Sequence, residues 1–361
     1  MDFENAKIDK KLLSNVVDNI ENNKIIINYY EKFSKECSVA FDSDLIKKKT
    51  LRISDCNKFW SLDLYKKSKV KDFRKTILCH DKFCSNCKKV TQAGRMARYI
   101  PQLEAYKDNM YHLVLTVPNC EGAELRNTIK NMSKSFKKLI NYLTGYKKIN
   151  GIDFSSWNYK GAVRSLEVTF KNYNSYHPHF HVGILFDDLE LKKDKINKFS
   201  YDFRSLGEVK LKSLFSDEEI LIQKIWYLLI NNKKVTKKAI DDLPEGYSCM
   251  INKFNDNDYA ELFKYITKST DEKGNILTYE HFVNLYYGLY RIKQIQGYGV
   301  LFNISDDSDL EGLEELYNNY IQALRNEEAP EVIYQRPQEL LNDTEYMLLS
   351  RKTYFKYLKT I

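Results

Sequence analysis

The chain has 361 residues, enough for two or three domains with a sizeable core. Its 27 Tyr and 19 Phe against 13 Gly and 6 Pro exclude a largely disordered or low-complexity polymer. The formal charge is +8, but residues 305–331 hold nine acids against Arg325 alone, a net −8, so the remainder carries +16. A basic body rich in rings suits a polyanion, because cations neutralise phosphates and rings stack on unpaired bases; a lysine-rich surface kept for solubility has the same charge.

No uninterrupted apolar run approaches the roughly 20 residues of a membrane helix. The start, Met1-Asp2-Phe3-Glu4-Asn5, is polar and lacks the character of a secretion signal. A cytoplasmic chain with no membrane partner is therefore expected, with its seven cysteines reduced.

In chain order, residues 1–47 read as a helical, amphipathic leader. A cysteine-rich module follows over residues 48–106. Cys84-Ser85-Asn86-Cys87 is a C-x2-C knuckle, with Cys79 upstream and Cys56 beyond a lysine-rich segment. Four thiolates close a tetrahedral zinc site, with His80 as a spare ligand; four unlinked buried thiols are the plainer alternative. Cys37, Cys120 and Cys249 look like ordinary core cysteines. Lys88 to Tyr106 is rich in helix formers, and a basic helix there offers Lys88, Lys89, Arg95 and Arg98 to DNA.

Residues 107–304 alternate strand and helix signals. Residues 111–117 (Tyr-His-Leu-Val-Leu-Thr-Val) are a strand ended by Pro118-Asn119. Leu125, Ile129, Met132, Phe136, Leu139, Ile140 and Leu143 recur every three to four residues, an amphipathic helix. Gly161 to Phe170 is a second strand, joined through the short polar stretch Lys171 to Tyr176 to the run His177-Pro178-His179-Phe180-His181-Val182-Gly183-Ile184-Leu185-Phe186. Alternate side chains of a strand share a face, so His177, His179 and His181 stand together while Phe180, Val182, Ile184 and Phe186 face a core. Imidazole is the commonest side-chain metal ligand, and a row of three on one strand points to a metal site rather than to a solvated polar face. If the hairpin turns near Asn174, Glu167 lies opposite His179 and His181, either as a carboxylate ligand or as a solvent-facing strand residue.

Helices are expected over Ser216–Asn231, Asp258–Lys268 and Thr278–Tyr290, with a strand near Ser248–Phe254. This order fits an α+β sheet flanked by helices. Residues 305–361 read as an acidic helical C-terminal segment opened by the capping box Ser308-Asp309-Leu310-Glu311. On the helix predicted over Asp258–Lys268, Glu261, Tyr265 and Lys268 fall at i, i+4 and i+7 on one face. A phenol is a poor nucleophile near neutral pH, and an adjacent ammonium and a metal-polarised phosphate are what it needs to attack phosphorus.

Three blocks in order carry a resemblance to the rolling-circle replication initiators of small plasmids from Gram-positive bacteria, members of the HUH endonuclease superfamily. His112-Leu113-Val114-Leu115-Thr116-Val117-Pro118-Asn119 resembles their first motif strand, His177 to Val182 their histidine-hydrophobic-histidine motif, and Glu261 to Lys268 the tyrosine helix of the subgroup that pairs one tyrosine with a glutamate. Leading cysteines and a Ser-Leu-Glu-Val-Thr strand like residues 165–169 also occur in that subgroup. The family's knuckle usually has proline after its first paired cysteine, where this chain has Ser85.

The resemblance implies an HUH-type nuclease domain beside a small zinc module. His179, His181 and Glu167 would hold Mg2+ or Mn2+ on the scissile phosphate, with His177 supporting them. Tyr265 would attack, leaving a 5′-phosphotyrosine and a free 3′-OH, helped by Lys268; Glu261 would act late, to end the cycle. Implied partners are double-strand origin DNA, single-stranded or hairpin DNA, a host helicase and polymerase, and a second copy as homodimer. A relaxase or single-strand transposase of the same superfamily is one alternative. A zinc-knuckle DNA-binding regulator without catalysis is another.

Overall fold

A computed structural model describes residues 10–36, 43–56, 59–65, 71–76, 79–172, 174–187, 189–202, 210–264, 277–304 and 344–350. The chain divides into two compact units, residues 1–98 with 308–361, and residues 99–307. The division falls inside a helix, between Arg98 and Tyr99, rather than at the expected boundaries 47/48 and 106/107, and it puts the C-terminal segment in the same unit as the cysteine module.

The first unit holds α1 (Lys10–Glu36), α2 (Ser43–Asp55), β1 (Phe59–Tyr65), β2 (Lys71–Thr76) and the start of α3 (Ser85–Glu104). Ile26, Tyr30 and Phe33 recur at helical spacing on α1 and are buried, as are Ile46 and Ile53 on α2. β1 is central in a three-stranded antiparallel sheet, with β2 on one side and β10 (Thr344–Ser350) on the other. A strand therefore stands where a helical C-terminal segment was expected. Seven consecutive residues of β10 pair with β1, and that ladder prevails over local propensity. The Ser308 capping box lies outside the described residues.

The second unit is built on a five-stranded antiparallel sheet in the order β8 (Cys249–Lys253), β3 (Met110–Thr116), β5 (Ser175–Phe186), β4 (Tyr159–Asn172), β9 (Ile295–Gly299). The α+β class holds. Phe180, Val182, Ile184 and Phe186 of β5 are all buried. They meet α4 (Leu125–Leu143) and α5 (Asp217–Ile230): Phe136 packs edge-on against Phe180 at 5.8 Å, and Trp226 lies 6.4 Å from the same ring. The Trp226 indole N–H donates to the Thr116 carbonyl at 2.8 Å. α8 (Tyr279–Leu289) closes on α4, where Arg126 caps it by donating to the Tyr287 and Tyr290 carbonyls.

The other face of the sheet carries the histidines and receives α7 (Asp256–Leu262). Gly183 lies on that face, and a Cβ there would come within 2.7 Å of Met110 and 3.4 Å of Leu262. The helix predicted over Asp258–Lys268 is cut short at Leu262, with Phe263 as its C-cap. Phe263 is fully buried and stacks on Tyr99 at 5.7 Å, an anchor that takes the chain out of helical register. Glu261 lies in the last turn of α7, and Tyr265 and Lys268 lie outside the described residues. β9, β1 and β2 were not foreseen. A small hairpin of β6 (Tyr201–Asp202) and β7 (Lys210–Leu211) and the short α6 (Lys237–Asp241) complete the unit.

Candidate metal centre

The hairpin of β4 and β5 sets the site. Asn172 pairs with Ser175 across a two-residue turn, and a one-residue bulge between Phe170 and Asn172 then shifts the register, so that Glu167 stands directly across from His179 and Ser165 across from His181. Glu167 is buried, at 3% exposure. Its Oε2 lies 3.1 Å from His179 Nε2 and 3.2 Å from His181 Nε2. Burial opposes the charge of this carboxylate. Hydrogen bonds from the two imidazoles, with the charge of Lys264 nearby, outweigh that cost and hold its pKa well below the usual carboxylate range.

Glu261 near the end of α7 and Lys264 just beyond it complete the cluster. Glu261 Oε2 is 3.7 Å from His181 Nε2. Lys264 spans both carboxylates, 2.7 Å from Glu261 Oε2 and 3.2 Å from Glu167 Oε2. His177 contributes through its backbone: its carbonyl accepts from His179 Nδ1 at 3.2 Å, while its ring stacks on His179 at 5.2 Å. That bond puts a proton on His179 Nδ1, so Nε2, the nitrogen 3.1 Å from Glu167, is the one that would turn to a metal. Behind His181 stands His112 of β3, tied in turn to Asp258 of α7.

The donor set suits a divalent cation. One atom from each of Glu167, His179 and His181 lies within 4.8 Å of the other two, offering two imidazole nitrogens and one carboxylate oxygen to a single point. Sequence reasoning missed Lys264, His112 and Asp258. Only His112 left a trace, as an alternate-position residue in the first motif strand. Tyr259, the nearest described phenol in the chain to Tyr265, is buried beside Phe254, and burial pushes its pKa up.

The first unit holds the second cluster that the described residues offer a metal, Cys56, Cys79, Cys84 and Cys87. Their sulfurs are 3.5–3.7 Å apart in the pairs 79–87, 56–84 and 56–87, far beyond the roughly 2.05 Å of a disulfide. Sulfurs at the corners of a regular tetrahedron with edges of this length surround a centre about 2.2 Å away, close to the zinc–sulfur bond length of about 2.3 Å. The four thiols fit zinc. Hydrogen bonds from Cys79, Cys84 and Cys87 hold the Cys56 thiol far below its ordinary range, while Cys79, on the donating side, is pushed up. Asn23 of α1 clamps the knuckle, its amide donating to Cys84 Sγ at 3.1 Å and its oxygen accepting from the Ser85 N–H at 2.9 Å. His80 is not one of the four; it turns the chain with a left-handed φ of 56° between Cys79 and Cys84.

The basic helix differs from expectation. Lys88 is 5% and Arg95 8% exposed, so neither presents its charge to a nucleic acid. Burial lowers the Lys88 pKa to about 8, against the opposing pull of Cys84 and Asp81. Arg98 is half-buried, and the Lys89 side chain lies outside the described residues. An exposed cationic surface lies elsewhere, on α4. That helix has five basic residues and no acid, and Lys130, Lys134, Lys137 and Lys138 line the side away from its buried stripe. Tyr146, 81% exposed, follows with Lys147 and Lys148.

Among the described residues, no helix is long and apolar enough to cross a membrane. Residues 70–196 match a family model described as a replication protein. A protein named Protein rep from Staphylococcus aureus is 30% identical over 227 residues, covering 61% of this chain and 82% of that protein. A Protein rep from Lentilactobacillus hilgardii is 26% identical over 155 residues, covering 42% of this chain and 46% of that protein. No solved structure matches. The matched span includes Cys79, Cys84, Cys87, Glu167, His179 and His181 and ends before α7.

Proposed function

The chain belongs to the family of plasmid replication (Rep) proteins, and from that premise we propose that it initiates rolling-circle replication as a metal-dependent HUH nickase. The observation that carries the reading is the convergence of His179, His181 and Glu167, joined by Glu261 and Lys264, on one face of the sheet. A replication initiator must hold origin DNA, and a backbone phosphate is the group that such a cluster is suited to receive.

Glu167, His179 and His181 would hold Mg2+ or Mn2+, which when bound withdraws charge from the phosphoryl oxygens. Lys264 adds an ammonium beside the same carboxylates. Tyr265 is its neighbour in the chain, one peptide unit of about 3.8 Å further on. Its phenol oxygen bonds to phosphorus as the bond from phosphorus to the 3′ oxygen breaks. The phenol proton passes to a base or to solvent, and the departing 3′ oxygen takes up a proton to become the 3′-OH that primes synthesis. The 5′ phosphate stays on the tyrosine. Glu261 serves the closing step, taking the proton of a water or strand end that attacks the phosphotyrosine. Lys268 would assist the phosphate. In the cysteine module, a structural zinc would hold the knuckle to α1 and α2, leaving chemistry to the other unit.

The test is incubation of the full chain with supercoiled origin plasmid and Mn2+, then sequencing of the peptide attached to a 5′ end. Attachment at Tyr265, lost in Tyr265→Phe with DNA affinity retained, supports the nickase. Binding with no nick under any divalent metal sinks it and favours a regulator. A full-yield adduct in Tyr265→Phe moves the nucleophile elsewhere.

A further inference from the structure

The two imidazoles of the candidate metal centre are oriented by different means. His179 donates its Nδ1–H to the carbonyl two residues back on its own strand. His181 has a second imidazole behind it instead: His112 Nε2 lies 3.1 Å from His181 Nδ1, with the rings 5.3 Å apart and 25° from parallel. The other nitrogen of His112, Nδ1, lies 2.8 Å from Asp258 Oδ1. Three elements, α7, β3 and β5, supply this line of groups.

Resting on the divalent-metal reading above, we propose that Asp258 and His112 are positioning residues that keep the His181 proton on Nδ1 and so present its Nε2 lone pair to the metal. The hydrogens run in one direction. A carboxylate only accepts, so His112 Nδ1 carries a hydrogen. Neutral His112 then offers Nε2 as an acceptor, which is satisfied by an Nδ1–H on His181. With the His181 proton on Nδ1, Nε2 is the nitrogen left for a metal, which would take over the contact that Nε2 makes with Glu167 Oε2 at 3.2 Å. Asp258 has no freedom to turn, because its Oδ2 accepts from the Asn255 backbone N–H at 2.8 Å and from the Asn255 amide at 2.7 Å. These bonds close the N-terminus of α7. One carboxylate therefore joins the helix that delivers Glu261 to the ring behind the metal ligand. Buried partners of metal-bound histidines commonly change metal affinity by about 10–100-fold when removed.

Asp258→Asn is the sharpest test, being isosteric. The two Asn255 donors hold the new carbonyl in the Oδ2 position, so the new NH2 group faces His112 Nδ1. Both tautomers reverse, and the His181 proton moves to Nε2, in the way of the metal. Mn2+ titration of the full chain, followed by electron paramagnetic resonance, is expected to show affinity about 10–100-fold weaker in Asp258→Asn. His112→Gln, whose side-chain oxygen replaces the Nε2 acceptor, is expected to retain affinity that His112→Phe loses; this pair decides the matter if Asp258→Asn does not fold. Unchanged affinity in Asp258→Asn, or equal affinities for the Gln and Phe variants, overturns the proposal. His179→Ala separates the two readings. If it binds Mn2+ as the parent does, the metal site itself fails and the positioning role with it; if it loses Mn2+ while Asp258→Asn does not, only the positioning role fails.

Discussion

Replacing Lys264 by glutamine removes one positive charge from a site proposed to receive two. The ammonium stands 3.2 Å from Glu167 Oε2, the same oxygen that both imidazoles approach, and 2.7 Å from Glu261 Oε2. Burial works against its charge, but the hydrogen bond to Glu261 and the nearby Glu167 outweigh this and raise its pKa. At 3.2 Å and an effective dielectric near 20, the attraction to Glu167 is about 5 kcal/mol before desolvation. Desolvating a carboxylate side chain 4% exposed and an ammonium side chain 22% exposed cancels much of that. Both imidazoles remain on Glu167 after the substitution, so a net loss of about 2 kcal/mol is expected. In EDTA the melting temperature should then fall by roughly 4–8 °C, as for other units of about 200 residues.

The sign of the pH effect follows from the raised pKa. The lysine's contribution is whole below the ordinary value of about 10.4 and fades as pH climbs through the higher folded value, so the gap in melting temperature closes only in strongly alkaline buffer. Metal affinity should move the other way. An ammonium on Oε2 opposes a dication at that oxygen, and its removal should tighten Mn2+ binding about tenfold, on the order of 1.4 kcal/mol. Calorimetric melts in EDTA and Mn2+ titration of the full chain read the two effects separately. Unchanged or weaker Mn2+ binding in Lys264→Gln refutes the reasoning, since Lys264 would then be holding the ligands together rather than standing in the cation's place.

Metal analysis of the purified chain should find one zinc, lost in Cys84→Ser. In the parent, chelation should expose four further thiols to an aromatic disulfide reagent, whereas Cys249, fully buried and with its pKa pushed well up by burial, stays silent until unfolding. No gain in reactive thiols after chelation would return the four to unlinked core cysteines. Glu219, 0% exposed, accepts from the Ser216 and Ile251 backbone N–H groups and pairs with Lys193 at 3.1 Å, so it is a structural carboxylate. Glu219→Gln should cost about 1–3 kcal/mol in thermal unfolding and leave Mn2+ affinity where it was; a changed affinity would contradict that assignment. Replacing Lys130, Lys134, Lys137 and Lys138 together by alanine should lower the log–log salt slope of duplex-origin binding by roughly 3. An unchanged slope, read by fluorescence anisotropy, would mean that α4 is merely a solvated helix.

What could be read before folding, and what could not, divides along the range of the interactions involved. The histidine strand was legible because alternation is a two-residue signal, and a turn near Asn174 put Glu167 in the neighbourhood of His179 and His181; the bulge between Phe170 and Asn172 that sets it opposite His179 left no mark in the spacing. Lys264 was hidden because the pattern Glu261, Tyr265, Lys268 assumes an unbroken helix. The helix ends instead at Leu262, where no glycine or proline announces a stop, because Phe263 is pulled into the core against Tyr99. Asp258 and His112 are 146 residues apart, a separation at which no spacing rule operates. Lys88 and Arg95 counted as surface charge because composition carries no burial.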